Sequence, residues 1–384
     1  MGKKIRLFIQ GVSRKQILWG ITGCACLLMG LVFYFISESM IASLDTQHMA
    51  ERWSEEGDVS QVSCFFSREA GIAENSLITF GHNLDQDLEQ ASIVSASQNP
   101  NARLWVSAYS ATGRVVISNE RATVDVAAVG IGGDFFLFHP LKLVSGSYFS
   151  GNDVLTDYVV IDEDAAWQLF GSNDVAGQLV EIGGVPHVIT GVVERQSGRI
   201  AEAAGLTSSV AYVSYTSLSR YGTNYGINTY EVVMPNPVSG YAKNYVMEHI
   251  GVSSNEVEIV ENSTRYSFLN RLKLLLETGT RSMSSKAIIY PYWENEARGY
   301  EDILVILEVF MLAAFFVPVL LLLIVLIKAW KHKTWTVKSV WNGLIDKWER
   351  FLEKIRARKK KPRKEKQQKE KQKKEKQKKE KTAK

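Results

Sequence analysis

Two stretches of this chain lack any polar rhythm, and the region between them alternates. Ile17–Ile36 is 20 residues without a charge, and Ile303–Ile327 is 25 residues with a single acid, Glu308. A helix needs about 20 apolar residues to cross a bilayer, so each stretch predicts a transmembrane helix. Between them, short runs rich in Val, Ile and aromatics predict strands at Gln61–Phe66, Leu104–Tyr109, Arg114–Ser118, Val124–Val129, Tyr158–Ile161, Leu179–Ile182, His187–Val193, Val210–Ser214 and Thr229–Met234. Helices are expected at Ile72–Ser92, Glu163–Phe170, Val238–Ile250 and Tyr266–Thr278, the second capped by Asp162 and stopped by Gly171. The polar segment Met40–Gln61 reads as an outward continuation of the first helix before a turn. Short Gly turns such as Ile182-Gly183-Gly184-Val185 favour antiparallel pairing and an α+β domain. The loop Gln196–Ser208 suggests two lobes with interleaved chain.

The expected order is a cytoplasmic N-terminus (1–16), a first span (17–36) and an extracytoplasmic domain (37–302). A second span (303–327), a basic amphipathic juxtamembrane helix (328–356) and a disordered Lys-rich tail (357–384) follow. The first span ends in bulky Phe33, Tyr34, Phe35 and Ile36, which suits an uncleaved anchor better than a signal peptide.

Charge adds an orientation. Five basic residues and no acid precede the first span, and Lys328, Lys331 and Lys333 follow the second. Basic flanks stay cytoplasmic, so both termini are expected inside and Ser37–Asp302 outside. The formal net charge of +4 hides a separation: Ser37–Asp302 carries 16 basic and 33 acidic residues, and Lys328–Lys384 carries 24 basic and 7 acidic.

Candidate chemistry is sparse. Gly2-Lys3 is the only Gly-Lys pair, so no phosphate-cradling loop exists in this sequence, and no Gly-x-Ser-x-Gly elbow is present. Gly130-Ile131-Gly132-Gly133 reads as a turn rather than a dinucleotide loop. The six histidines are scattered, and His82, Asp85, Asp87 and Glu89 read as a solvated helix face. No catalytic residue, cofactor or metal is expected. Cys24 and Cys26 lie in the first span; Cys64 is alone outside, so an internal disulfide in the outer domain is excluded. Phe149, Trp167, Leu169 and Phe170 read as core.

Tyr292 and Trp293 stand just before the second span, as an interfacial aromatic belt or as a packed connector. Glu308 is either at the outer interface or in polar contact with a partner helix. In the tail, Val337, Val340, Trp341, Leu344, Ile345, Trp348, Phe351, Leu352 and Ile355 form one apolar stripe among basic residues. With Trp335, Trp341 and Trp348 it suits the anionic inner leaflet, or a cytoplasmic protein face. The tail lacks aromatic interleaving, so specific nucleic-acid binding is not expected.

The stretch Phe135–Glu194 carries an ordered set of short pieces. They are Phe135 and Phe136; Leu143, Gly146 and Phe149; Asp153; Val159-Val160-Ile161-Asp162; Ala165, Ala166, Leu169, Phe170 and Gly171; Asp174 and Gly177; and Gly191-Val192-Val193. Together they resemble the extracytoplasmic core domain of MacB/FtsX-type ABC-transporter permeases. Tyr230–Pro237 and Tyr290–Arg298 are similar to bacterial members of that group. The resemblance implies a bacterial plasma membrane and a MacB-like periplasmic core between two transmembrane helices. It also implies a non-catalytic subunit that works with an ABC ATPase and a partner permease. Such permeases carry one span before the outer domain and three after it; one follows here, which makes a separate, fuller permease part of the expectation. A tethered sensor or scaffold built on the same fold is the alternative.

Overall fold

The computed structural model describes residues 13–93, 102–277, 287–331, 341 and 345–351. Eleven helices and eleven strands are described, in a mixed α/β order. Helix α1 (Arg14–Ala42) and the short α2 (Met49–Trp53) lead into strand β1 (Val59–Phe66), helix α3 (Glu74–Gln90) and the long strands β2 (Val106–Ser118) and β3 (Thr123–Gly133). Next come α4 (Phe135–Phe138), β4 (Leu143–Gly146), β5 (Tyr158–Asp162), α5 (Glu163–Phe170), β6 (Leu179–Ile182), β7 (Val185–Val193) and α6 (Arg199–Ala203). The chain continues through β8 (Val210–Ser214), α7 (Tyr215–Tyr221), β9 (Thr223–Asn224), β10 (Thr229–Pro235), α8 (Tyr241–His249) and β11 (Val257–Glu261). It closes with α9 (Asn262–Arg265), α10 (Phe268–Glu277) and α11 (Tyr292–Lys331).

The strands join in the order β11-β1-β10-β2-β3-β8-β5-β7-β4, with β6 on β2 and β7, and β9 on β2. Pairing is antiparallel except for β3 with β8 and β5 with β7. Apolar side chains gather in three clusters. One lies around Ile117, Ile161 and Ile189 under α5. The second is the aromatic group of Phe135, Tyr212 and Trp293. The third, around Phe80, Leu84 and Tyr230, lies under α3 and α8. Strands β2 and β3 contribute to both ends of the sheet, so the chain is interleaved between the lobes.

Several local expectations change. Of the expected strand Leu104–Tyr109, the part from Val106 joins Arg114–Ser118 in a single strand, β2, because Ala111 and Gly113 continue its pairing with β3. Gly130–Gly133 is strand rather than turn. Gly132 is opposite Tyr109, whose ring occupies the space that a Cβ would need. Trp167 is 58% exposed, since α5 turns Ala165, Ala166 and Leu169 inward. The first helix does continue outward, but only to Ala42; a short 3-10 turn and α2 then fill most of Met40–Gln61 before β1.

The chain divides into two units, residues 25–315 and residues 1–24 with 316–384. In the second unit Leu321 of α11 lies against Gly23 of α1. In the first, Phe33 meets Phe310 at 5.9 Å between ring centroids, and Phe315 covers Gly30. Helices α1 and α11 are each long and apolar enough to cross a membrane.

Candidate functional site

Asp162 and Gly171 bracket α5 by local chemistry. The Asp162 carboxylate accepts from the Ala165 amide at 2.8 Å and, across the loop, from the Val210 amide at 2.8 Å. Burial raises its pKa although both amides oppose that shift. Gly171 takes the left-handed conformation (φ 69°) that ends a helix without a Cβ penalty. Gly146 and Gly177 also have positive φ, and a side chain at Gly146 would collide with the Thr190 carbonyl. Phe170 packs on the neighbouring core. These motif residues hold the fold and are not gathered into one reactive site.

The aromatic motif residues point instead to the foot of the domain. Phe135 is buried and stacks on His139 at 4.3 Å, with Trp293 at 5.8 Å. Phe136 stacks on Tyr148 at 4.4 Å and meets Phe149 edge-on at 5.7 Å. Trp293 is 3% exposed, and the Tyr292 hydroxyl hydrogen-bonds the Tyr212 hydroxyl at 2.9 Å. The membrane-interface placement of Tyr292 and Trp293 is therefore corrected. Both belong to the first turn of α11, and that turn is packed into the domain as a connector. Burying an apolar ring contributes about 1.5–3 kcal/mol, and at Trp293 the indole N–H, buried without a hydrogen-bond partner, offsets part of that gain.

Beside this cluster runs a series of polar contacts, most of them buried. His139 Nε2 lies 2.5 Å from Glu231 Oε2, and the Ser63 hydroxyl donates to Glu231 Oε1 at 3.0 Å. With one proton, the same Ser63 hydroxyl donates either to Glu231 or to Asn262 Oδ1, which lies 2.9 Å away, and Asn262 Nδ2 donates to Gln47 Oε1 at 2.8 Å. Arg265 Nη1 donates to the same Gln47 oxygen at 3.0 Å. Arg265 then holds Glu294 through Nη1 at 2.7 Å and Nη2 at 3.0 Å, and Glu301 through Nε at 2.6 Å. Arg298 Nε adds 2.9 Å to Glu294 and lays its guanidinium 3.8 Å over the Tyr290 ring. Burial works against the Arg265 charge, and Glu294 overcomes it, so the Arg265 pKa stands above the ordinary guanidinium value. Paired and bidentate, these buried charges satisfy one another.

The series thus ties strands β1 and β10, the α2 approach and α9 to the base of α11. Its members lie far apart in sequence, and pattern reading finds none of them as a group. The one signal was indirect: Glu231 and Glu294 to Arg298 fall inside the two later stretches that resemble permeases. Glu308 is buried, with its Oε2 3.8 Å from Arg271 Nε on α10, so its polar neighbour comes from this same chain. Trp341 and Trp348 are exposed, and Trp348 lies 5.9 Å from Phe351. Trp335 lies outside the described residues. Among those residues no group of His, Cys, Asp and Glu is placed to hold a metal ion.

The family model of the MacB-like periplasmic core domain matches residues 24–243, which include the motif residues, α1 beyond Gly23 and most of the sheet. The chain belongs to this family. Curated relatives are macrolide export ATP-binding/permease proteins MacB. That of Chromobacterium violaceum is 33% identical over 75 residues, 19% of this chain and 12% of the relative. That of Pasteurella multocida is 27% identical over 170 residues, 44% and 26% respectively. The matches span about a quarter or less of the length of these relatives. Among solved structures, the periplasmic region of MacB from Actinobacillus actinomycetemcomitans is 19% identical, covering 57% of this chain and 93% of that one, with a TM-score of 0.36. The extracellular domain of the noncanonic ABC-type transporter YknZ from Gram-positive bacteria is 18% identical, covering 52% and 99%, with a TM-score of 0.32. As a MacB-like periplasmic core, the domain is mixed α/β and is flanked by two candidate membrane helices.

Proposed function

We propose that this chain is a non-catalytic membrane subunit of an ABC-type export or mechanotransmission complex, working with a separate ATPase and a fuller permease. Both termini lie in the cytoplasm of a bacterial cell, and the domain 37–302 lies outside the plasma membrane. The apolar stripe of the basic amphipathic segment 328–356 rests on the anionic inner leaflet, and the Lys-rich segment 357–384 adds charge there. One observation carries the reading: the polar contacts that run from buried His139 to the buried Arg265–Glu294 pair and on to the partly exposed Arg298, on the helix that continues into the second apolar run. A shift or rotation of α11 breaks bidentate, buried ion pairs unless the domain moves with it, and breaking such pairs is costly.

Purification of the tagged full chain from its native membrane, with identification of bound subunits by mass, tests this. Recovery of an ABC ATPase and a permease in fixed ratio is expected. Arg265→Met should keep the assembly and lower its coupled ATP hydrolysis. Recovery of the intact chain with neither subunit would overturn the proposal and leave a membrane-tethered sensor or scaffold.

A further inference from the structure

Helix α10 carries apolar side chains that nothing in the described chain covers. Phe268, Leu269 and Leu276 are exposed, the last two at 69% and 81%, and Leu272 is half-buried. Spaced three and four apart, they form one strip along the helix. Arg271 takes the opposite role. It is buried, with Nη2 3.5 Å from Glu38 Oε1 and Nε 3.8 Å from Glu308 Oε2. Glu38 stands two residues beyond the end of the first apolar run, and Glu308 five residues into the second. At 1.5 Å of rise per residue, both lie within about 8 Å of the outer ends of those runs. One arginine therefore pins α10 beside the outer mouth of both apolar helices. At the same level Phe35 and Ile36 of α1, and Ile306 and Phe310 of α11, are also exposed and apolar. The bare strip of α10 continues a band whose natural solvent is acyl chain.

We propose that α10 is an interfacial helix whose Phe268, Leu269 and Leu276 strip lies in the outer leaflet of the bilayer, with the exposed Lys273 at the phosphate level. A helix with one apolar face binds such a boundary chiefly by apolar burial; Lys273 is the one exposed cation of α10, and the exposed Glu277 lies one turn beyond it. Lying flat and anchored through Arg271, it fixes the height of the outer domain above the membrane. The proposal rests on α1 and α11 crossing the bilayer.

The test uses the full chain in nanodiscs of phosphatidylethanolamine and phosphatidylglycerol, in a Cys24→Ser/Cys26→Ser background. Cys64 is buried and its thiol pKa is pushed up by burial, so it stays unlabelled in the folded protein. Spin labels go on Leu269→Cys and Leu276→Cys, with Val154→Cys on the outer domain and Leu322→Cys in the second span as references. Collision with oxygen should exceed collision with an aqueous nickel chelate several-fold at 269, 276 and 322, and the order should reverse at 154. If 269 and 276 behave like 154 while 322 does not, α10 faces water and the proposal is wrong. If 269 and 276 are shielded from both reagents, protein rather than lipid covers the strip, and the proposal is equally wrong. If 322 also behaves like 154, the spanning reading fails and takes this inference with it.

Discussion

Arg265 grips Glu294 with two nitrogens, at 2.7 and 3.0 Å, and both side chains are buried. The pair joins α9, on the domain, to α11. Arg265→Met leaves Glu294 with Arg298 as its remaining cation and leaves Glu301 without the Arg265 contact. A loss of about 3–5 kcal/mol is expected from breaking a buried pair on one side. The melting temperature of the full chain in detergent should drop accordingly. Adding Glu294→Gln and Glu301→Gln should recover part of it, because the carboxylates that lose the Arg265 charge are then neutral. A triple variant no better than Arg265→Met would show that charge is not what Arg265 supplies.

Asp162→Asn keeps one acceptor oxygen and turns an NH2 towards an amide that needs an acceptor. A cost of about 1–2 kcal/mol is expected at neutral pH. The pH dependence has a definite sign. The folded-state pKa of Asp162 lies above its ordinary value, so ionisation opposes folding above that raised pKa. This penalty fades as pH falls through the raised value towards the ordinary carboxylate range. The stability of the wild type minus that of Asp162→Asn should therefore grow on acidification across that window. Chemical denaturation of both proteins at a series of pH values measures it, and a difference that shrinks would contradict the buried carboxylate.

Gly132→Ala places a methyl group where the Tyr109 ring lies. Overpacking of this kind costs about 1–3 kcal/mol. Pairing it with Tyr109→Leu, which removes the ring, should be less than additive. Full additivity in a double-mutant cycle would show that the two positions do not interact.

Orientation is testable by thiol labelling of intact cells. Val154→Cys, on an exposed loop, should react with a membrane-impermeant maleimide, and Glu370→Cys should react only after lysis. The opposite pattern would reverse the topology.

A peptide covering 337–355 should become helical on vesicles containing anionic lipid and much less so on neutral ones. Trp348→Glu puts a charge into the apolar stripe and should weaken that binding strongly, as loss of one buried apolar side chain alone is about 1.5–3 kcal/mol. Lys→Gln changes in 356–384 should weaken the binding of the full chain in a salt-dependent way. A peptide indifferent to anionic vesicles would make the stripe a protein face.

What was legible in the sequence was local or long. The two apolar helices announce themselves by length, and α5 by the cap at Asp162 and the stop at Gly171. The hairpin at Gly183-Gly184 follows from its turn residues. Strand β11 was missed because Glu258 and Glu261 interrupt its apolar pattern at the sheet edge. Gly130–Gly133 was misread because its glycines make room for Tyr109 and Leu218, a demand set by neighbours rather than by the segment itself. The polar chain at the foot was invisible for a related reason. Gln47 and Arg265 are 218 residues apart, and Ser63 and Glu231 are 168 apart, so only the sheet order brings them together.

Strands β2 and β3 stay paired from Ala108 with Gly133 to Ser118 with Thr123, running without a break beneath both lobes. Two lobes sharing such a beam cannot open and shut on a ligand like jaws. Glu231 lies on β10, the strand next to β2, and accepts from Ser63 on β1, so the foot contacts reach the root of that beam. In the proposed role, a tilt at the foot of α11 would be carried along this beam, and its reach would be set by the length of β2 and β3 rather than by the softness of the lobes.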